Sequence, residues 1–179
     1  GYCNLLKLTT IANTQGWHLR PRIDKKALAQ HAEGLIVTST CLSGEIPKML
    51  LKEQVEEAYK MADWYRDVFG PENFYLEIQE HHGIFDDGKP SPQGQLNQLL
   101  YRMHKEKQIP LVATNDLHYI DEDDSGSHDV LLCVQTGKQL DSPKRMRFDS
   151  HEYYLKSPQE MAQLFPELPE AISNSIRIA

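Results

Sequence analysis

The chain has 179 residues, of which 40% are hydrophobic and 25% are charged, and its formal net charge is −7. This composition is that of an ordinary globular domain with enough apolar residues to bury a core. The acidic balance argues against the whole surface as a nucleic-acid interface, so such a contact would need a local basic patch. Two groups of basic residues are candidates for such a patch: Arg20, Arg22, Lys25 and Lys26, and Lys144, Arg145 and Arg147. An ordinary solvated surface explains each group more simply.

The cysteines and the chain start give expectations about context. Three cysteines without tight spacing argue against a disulfide scaffold and for a reducing, cytoplasmic compartment. The sequence opens Gly-Tyr-Cys-Asn, with neither an initiator Met nor a signal-peptide pattern, so we expect a piece of a longer protein. No apolar run approaches the roughly 18 residues of a membrane span.

Apolar spacing and cap residues predict the elements of the first half. A helix through residues 5–12 ends before Gly16, and a second one is capped by Asp24. A β-rich run over Leu35–Thr40 leads directly into Cys41, and Ser43 is expected to cap the next helix. A longer helix through residues 55–69 closes at Gly70, and Phe74–Gln79 forms the next strand.

The second half repeats this alternation of helices and strands. Ile84–Gly94 has the strongest loop composition in the chain, and a helix through residues 96–103 precedes a buried strand at Leu111–Ala113. The acidic run 121–124 starts a helix that ends at Gly137. A short strand at residues 152–155 is followed by a capping box with proline in the first turn, formed by Ser157, Pro158 and Glu160.

Strands that alternate with helices imply parallel pairing and right-handed crossovers. The predicted fold class is therefore α/β, either a single β/α layer or a partial β/α barrel with mainly parallel strands and flanking helices. In such folds the chemistry lies in the loops after the strands.

The strand at residues 111–113 ends in Asn-Asp-Leu-His, which places Asp116 and His118 two positions apart. On an extended backbone both side chains project to one side, where they could bind a metal. The alternative is a loop aspartate that caps the next helix beside an exposed histidine.

Other polar residues also follow predicted strands, and parallel strands bring such ends to one face. Cys41 follows the first strand, and His81 and His82 follow the second. A thiolate, a carboxylate and an imidazole together suit zinc and related divalent ions, which would favour hydrolysis of a phosphate ester by a metal-activated water. Taken singly, Cys41 is more simply a buried small residue, and Glu77 either supports the ligands or lies on the face of an edge strand.

Several other chemistries find no sequence support. The chain lacks a Gly-x-x-x-x-Gly-Lys phosphate loop, a Gly-x-Gly-x-x-Gly fingerprint, a Gly-x-Ser-x-Gly elbow and a Cys-x-x-Cys zinc knuckle. The remaining histidines follow no predicted strand end, so no role is assigned to them: His18, His31, His104, His128 and His151.

A set of short motifs in order resembles one family. The sequence is similar to the PHP (polymerase and histidinol phosphatase) domain of bacterial DNA polymerase III α subunits, the C-family replicative polymerases. The segments that carry the resemblance extend over almost the whole chain: Arg20–Asp24, Cys41–Ile46, Tyr75–Gln79, Ala113–Tyr119, His128–Gly137 and Tyr154–Met161.

The resemblance implies a distorted β/α barrel with divalent metal ions (zinc, manganese or magnesium) at the strand ends. Cys41, Asp116 and His118 match the family's later metal ligands, whereas His81 and His82 match none and are left at the site rim with Glu77. The family's earlier ligands, including a His-x-His pair, would precede Gly1. Residues 1–150 would then be the C-terminal part of the domain, and 151–179 its end and the start of the next.

Two functions of different classes follow from the resemblance. In the first, the parent protein synthesises DNA and the intact PHP domain is a metal-dependent phosphoesterase that gives 3′–5′ proofreading. In the second, the domain is an inert scaffold that stabilises the polymerase and docks a separate exonuclease subunit. The polymerising aspartates have no counterpart here, so this segment alone is expected to be inactive.

Overall fold

The computed structural model describes residues 1–81, 91–148 and 150–179. The predicted rim residue His82 and most of the predicted Ile84–Gly94 loop lie outside these ranges. Within them the regular elements are, in chain order, α1 (Tyr2–Thr14), α2 (Lys25–Gln30), β1 (Val37–Thr38), α3 (Glu45–Leu51), α4 (Val55–Phe69), β2 (Phe74–Ile78), α5 (Pro92–Lys107), β3 (Leu111–Ala113), a 3₁₀ helix (Glu122–Asp124), α6 (Ser125–Thr136), α7 (Pro158–Leu164) and α8 (Pro169–Ile178).

The three strands form one sheet in the order β1-β2-β3. β1 and β2 are parallel, with Val37 opposite Phe74. Beside β2, the amide of Thr114 donates to the carbonyl of Ile78 at 3.0 Å. All three residues of β3 are buried, as expected of a strand covered on both faces. The prediction of a mixed α/β fold with parallel strands and flanking helices is confirmed at this level.

The chain divides into two compact units, of which the first comprises Gly1–Leu76 and Met103–Pro110. Its core forms where α3 packs against α4. The apolar stripe of α4 is buried through Ala58 and Ala62, and Phe74 stacks on Tyr65 with ring centroids 5.3 Å apart.

The second unit comprises Glu77–Arg102 and Leu111–Ala179. Here α8 packs against β3. The side-chain amide of Asn174 donates to the carbonyl of Leu111 at 2.8 Å. On the apolar stripe of α5, Leu96 and Leu100 are completely buried. None of the helices in the described ranges is long and apolar enough to cross a bilayer.

Most predicted caps are confirmed because they depend on local sequence. The Asp24 side chain accepts a 2.7 Å hydrogen bond from the amide of Ala27. Ser157 and Glu160 form the reciprocal capping box at the start of α7. Gly137 ends α6 in the left-handed region that glycine adopts without strain.

The prediction of Ser43 as a helix cap is wrong, because Gly44 occupies the cap position of α3 and makes no side-chain bond. A Cβ on Gly44 would lie 2.3 Å from the carbonyl oxygen of Ser39, so only glycine fits this close approach. Two predicted strands are also shorter than expected. β1 keeps only Val37–Thr38, and the predicted strand at 152–155 pairs through a single parallel bridge between Tyr154 and Tyr119.

Candidate functional site

The loop after β3 has a strained backbone at the predicted Asp-x-His pair. Asp116 is partly exposed and has φ of 48°, in the left-handed region where aspartate is one of the more tolerated residues. Such conformations cost of order 1–3 kcal/mol each and persist where the surrounding contacts hold them. A strained turn that carries a carboxylate at a strand's end is typical of functional sites.

The imidazole of His118 is oriented by its own loop. Its Nδ1 lies 2.5 Å from the backbone carbonyl oxygen of Asp116. A carbonyl only accepts, so Nδ1 carries the proton and donates, which leaves the lone pair of Nε2 free in the neutral ring. In known metal sites, contacts of this kind orient the histidine ligands.

His81, placed at the site rim by sequence, is buried under an aromatic ring. Its ring stacks on that of Tyr153, with centroids 4.1 Å apart. Its Nε2 lies 3.0 Å from the backbone oxygen of Asn115 and so donates to it. Burial lowers the pKa of His81, and the hydrogen bond to Asn115 offsets part of this effect. His81 is therefore a neutral residue that supports the loop after β3.

The ring of His118 lies in a cluster of aromatic and imidazole side chains. Its centroid is 4.7 Å from that of Phe148, 5.6 Å from that of Tyr153 and 5.5 Å from that of His128. Burial is the main cause of a lowered pKa at His128, followed by the proximity of His118. Sequence spacing gave His128 no role, because it lies on a helix ten positions beyond His118 and only the fold brings the two rings together.

Glu77 belongs to a polar network inside the second unit. One of its carboxylate oxygens accepts hydrogen bonds from the hydroxyl of Thr114 at 2.5 Å and from the side-chain amide of Gln79 at 2.9 Å. The bond to Thr114 links β2 to the residue that follows β3. The role of Glu77 at the site rim stays a prediction.

Asn97 of α5 fixes the end of β2. Its side-chain amide donates to the backbone oxygen of Gln79 at 2.6 Å, and its own oxygen lies 3.4 Å from the Gln79 amide nitrogen. This pair of contacts was not predicted from sequence, because an asparagine within a helical stripe carries no signal for a distant strand.

The segment 152–156 supports the loop after β3 through backbone groups. The side-chain amide of Asn115 donates to the carbonyls of Glu152 at 2.8 Å and Tyr154 at 2.6 Å. The backbone amide of His118 donates to the carbonyl of Tyr153 at 2.9 Å. The geometry of the Asp-x-His loop therefore depends on a segment some 40 positions further along the chain.

Three buried oxygen acceptors at the ends of β2 and β3 lack a hydrogen-bond donor within the described residues. They are the side-chain oxygens Oε1 of Gln79, Oε1 of Glu80 and Oδ1 of Asn115. Buried polar atoms are nearly always satisfied by protein, water or an ion. Each of these acceptors therefore suits ordered water or a cation as its partner.

Cys41, the third predicted ligand, lies in the first unit. It follows Thr40, which has φ of 63° and is an outlier for a β-branched residue. The Cys41 carbonyl accepts from the Gly44 amide at 2.8 Å, and its thiol is free and partly buried. Among residues 1–81, 91–148 and 150–179, no three His, Cys, Asp or Glu side chains are grouped so as to hold a metal ion.

Comparison with known proteins relates the chain to one family. Residues 1–81 match the PHP domain family. Over its whole length it is 44% identical to the DNA polymerase III subunit alpha of Treponema pallidum (strain Nichols) and 42% identical to that of Borreliella burgdorferi, and 38% identical to that of Thermus aquaticus.

The chain spans only 14–15% of the length of these relatives. The predicted resemblance to the PHP region of DNA polymerase III α subunits is thus confirmed. The metal-ligand roles of Cys41, Asp116 and His118 and the domain boundary at residue 150 stay predictions.

The lowered pKa of His81 predicts how stability depends on pH. In the folded state the ring resists protonation, whereas in the unfolded chain it takes up a proton below its ordinary pKa of about 6.5. The unfolded state then binds more protons, so the free energy of unfolding falls as the pH is lowered below about 6.5. We expect His81→Gln, which keeps a donor, to flatten this dependence in thermal melts. The same change at exposed His18 leaves it in place, and an unchanged slope in His81→Gln would contradict the assignment.

Proposed function

We propose that the chain is part of a PHP domain with metal-dependent phosphoesterase activity, which acts as a 3′–5′ exonuclease on DNA. The observation that carries the proposal is the strained loop after β3, where Nδ1 of His118 is held by the backbone carbonyl of Asp116, two positions earlier, and Nε2 is left as the ring's acceptor. The relatives are subunits of a DNA polymerase, and DNA is therefore the proposed substrate.

The residues present fit a divalent metal in their donor chemistry. Asp116 offers a carboxylate and His118 an imidazole, and Cys41 offers a thiol in the first unit; each of these donor types suits zinc and related ions. The buried oxygens of Gln79, Glu80 and Asn115, which lack donors within the described residues, are further acceptors. A bound metal ion would supply an activated water for hydrolysis. The chain's own part is to orient His118 through the carbonyl of Asp116 and to hold the loop against Tyr153.

The wider setting follows from the relatives. We propose that the parent protein is a DNA-directed DNA polymerase, a nucleotidyltransferase that works in the cytoplasm with other replicase subunits. The parallel sheet β1-β2-β3 would be part of a distorted barrel, with residues 1–150 in the PHP domain and 151–179 running into the next domain. The parallel pairing of β1 with β2 and the strand order β1-β2-β3 support this arrangement.

A second function, that of a structural scaffold that docks an exonuclease subunit, is favoured by a different observation. Within the described residues no group of three potential ligands is assembled. An aromatic cluster around His118 and a neutral, buried His81 would also stabilise a domain that performs no chemistry.

Metal content and nucleotide release distinguish the two functions. In the full-length protein we expect Asp116→Asn and His118→Gln each to lower the metal stoichiometry, measured by elemental analysis. Each should also lower nucleotide release from a mismatched 3′ end by about tenfold or more. Matched changes at exposed sites, Asp67→Asn and His18→Gln, should alter neither quantity. Metal content and release that stay at the wild-type level in both site variants would favour the scaffold.

A further inference from the structure

A cavity of about 290 Å³ in the second unit is not used by the function proposed above. It lies between the start of α6 and residues 145–148 and 150–151. Its lining joins basic, hydroxyl and aromatic side chains, among them Arg147, Phe148, His151, Ser125, His128 and Tyr119. His128 connects it to the loop after β3, since its ring lies 5.5 Å from that of His118.

Among the described lining residues two arginines, Arg145 and Arg147, stand against one aspartate, Asp129, although the chain as a whole carries −7. Both carboxylate oxygens of Asp129 accept from the guanidinium of Arg145, at 2.5 and 2.6 Å. The Arg145 side chain is only 4% exposed and also donates to the carbonyls of Leu140 and Met146, so most of its donors have partners within the protein. The negative charge of Asp129 therefore offsets the positive charge of Arg145, and the charge of Arg147 remains.

Arg147 is available for a ligand. Its side chain is exposed and makes one long hydrogen bond, 3.3 Å from Nη2 to the carbonyl of Leu140, within the described part of the chain. A guanidinium has five N–H donors, and its fork matches the geometry of phosphate oxygens. The start of α6 alone would not hold an anion, because the acidic run 121–124 precedes it. The arginine is therefore the necessary anchor.

Neutral donors line the same cavity. The hydroxyl of Ser125 lies 3.0 Å from Nδ1 of His151. The hydroxyl of Tyr119 is buried and has no acceptor within the described residues. A buried phenol needs an acceptor, and phosphate oxygens supply one. A Cβ placed on Gly126 would meet no atom within 4 Å, so the backbone at the start of α6 is open on this side.

Aromatic and imidazole rings form another part of the cavity wall. The centroid of His128 lies 4.9 Å from that of Phe148 and 5.4 Å from that of Tyr119. A cation beside aromatic rings is the combination that binds nucleotides, with the phosphate on the cation and the base against a ring. The volume is at the small end of ligand pockets and suits one nucleotide rather than a longer segment.

We propose that this cavity binds one phosphorylated nucleotide, with the phosphate on Arg147 and the base against the wall formed by Phe148, His128 and Tyr119. The nucleotide is either free or the end of a DNA strand, and the two share the same chemistry. The proposal does not depend on the phosphoesterase activity, because the arginine and the rings need no metal ion.

Photochemical labelling tests the proposal at the site itself. The full-length protein is irradiated with 5-iodo-2′-deoxyuridine 5′-monophosphate in the presence of EDTA, and adducts are mapped by mass spectrometry. We expect adducts on Tyr119, His128 or Phe148, competed by inorganic phosphate and absent with the nucleoside that lacks phosphate. An oligonucleotide that ends in the same base forms the second arm. Stronger labelling by the free nucleotide or by the oligonucleotide identifies the natural form of the ligand.

Variants separate binding from folding. We expect Arg147→Ala to lower the labelling by about tenfold, Arg147→Lys to retain part of it, and Lys144→Ala, an exposed cation outside the cavity lining, to leave it within about twofold. Thermal melts identify any variant that fails to fold. If Arg147→Ala does not fold, the labelling of the Arg147→Lys protein decides the outcome. Asp116→Asn should label normally even where nucleotide release is lost. Labelling that is absent from residues 119–151, or equal with the nucleoside, or unchanged in Arg147→Ala, would overturn the proposal.

Discussion

Glu152→Gln is expected to lower the free energy of unfolding by about 3 kcal/mol, because it leaves a buried ammonium group without its carboxylate. The side chain of Lys156 is only 3% exposed, and its Nζ lies 2.8 Å from the carboxylate of Glu152. The same nitrogen donates to the Glu152 backbone carbonyl and lies 3.9 Å from the ring centroid of Tyr154. These two contacts remain after the substitution, so the loss is expected at the lower end of the range for broken buried pairs.

An exposed ion pair provides the matched control. Lys25 and Glu45 form a 2.6 Å salt bridge in which both side chains are about 40% exposed. The identical change, Glu45→Gln, should cost less than about 1 kcal/mol, because water replaces the lost partner. Chemical denaturation measures both. Equal losses in the two variants would show that burial of Lys156 does not decide the outcome.

A second variant tests the cause of the loss. In Glu152→Gln combined with Lys156→Met, no buried charge remains, so we expect most of the stability to return. The segment 152–156 also holds Asn115 and His118 through backbone carbonyls. We therefore expect Glu152→Gln also to loosen the loop after β3, although Glu152 lies far from this loop along the chain. Amide hydrogen exchange at His118 measures this effect.

The sequence predicts those parts of the fold that depend on short-range chemistry. Asp24 caps α2, and the capping box starts α7 as predicted, because each contact joins residues three positions apart. Strand lengths were less accurate. The β-rich run at 35–40 yields only Val37–Thr38, because pairing depends on the partner strand and not on propensity alone. The prediction of a helix cap at Ser43 was wrong because of a backbone contact. The cap position falls on Gly44, where the carbonyl of Ser39 approaches so closely that no side chain fits.

The candidate site shows the same limit. The Asp-x-His pair is visible in the sequence because both residues follow one buried strand. The contacts of His128 with His118 and of Asn97 with Gln79 are not visible, because they join a helix to a strand end over 10 and 18 positions, with no periodic signal. Arg145 and Arg147 were noted only as a basic cluster. Their different roles follow from the position of Asp129, which binds one of them and not the other.

Leu100→Ala tests the packing that holds the strand ends. Leu100 is completely buried on α5, the helix whose Asn97 donates to the backbone of Gln79. The substitution removes buried apolar volume and leaves a cavity, so we expect a loss of about 2–5 kcal/mol in the free energy of unfolding. Leu100→Met, which keeps the volume, should cost less than about 1.5 kcal/mol.

Leu131 of α6 provides the matched control, because it is a helical leucine in the same unit with 63% of its surface exposed. Leu131→Ala should change the free energy of unfolding by no more than about 0.5 kcal/mol, since little apolar area is uncovered and alanine favours the helix. Urea denaturation gives each value, and an unchanged m value shows that the denatured state is not altered. Equal losses at Leu100 and Leu131 would mean that α5 is not packed as the structure has it. A selective loss at Leu100, with weaker hydrogen-exchange protection at Gln79, would show that core packing maintains the end of β2 beside His81.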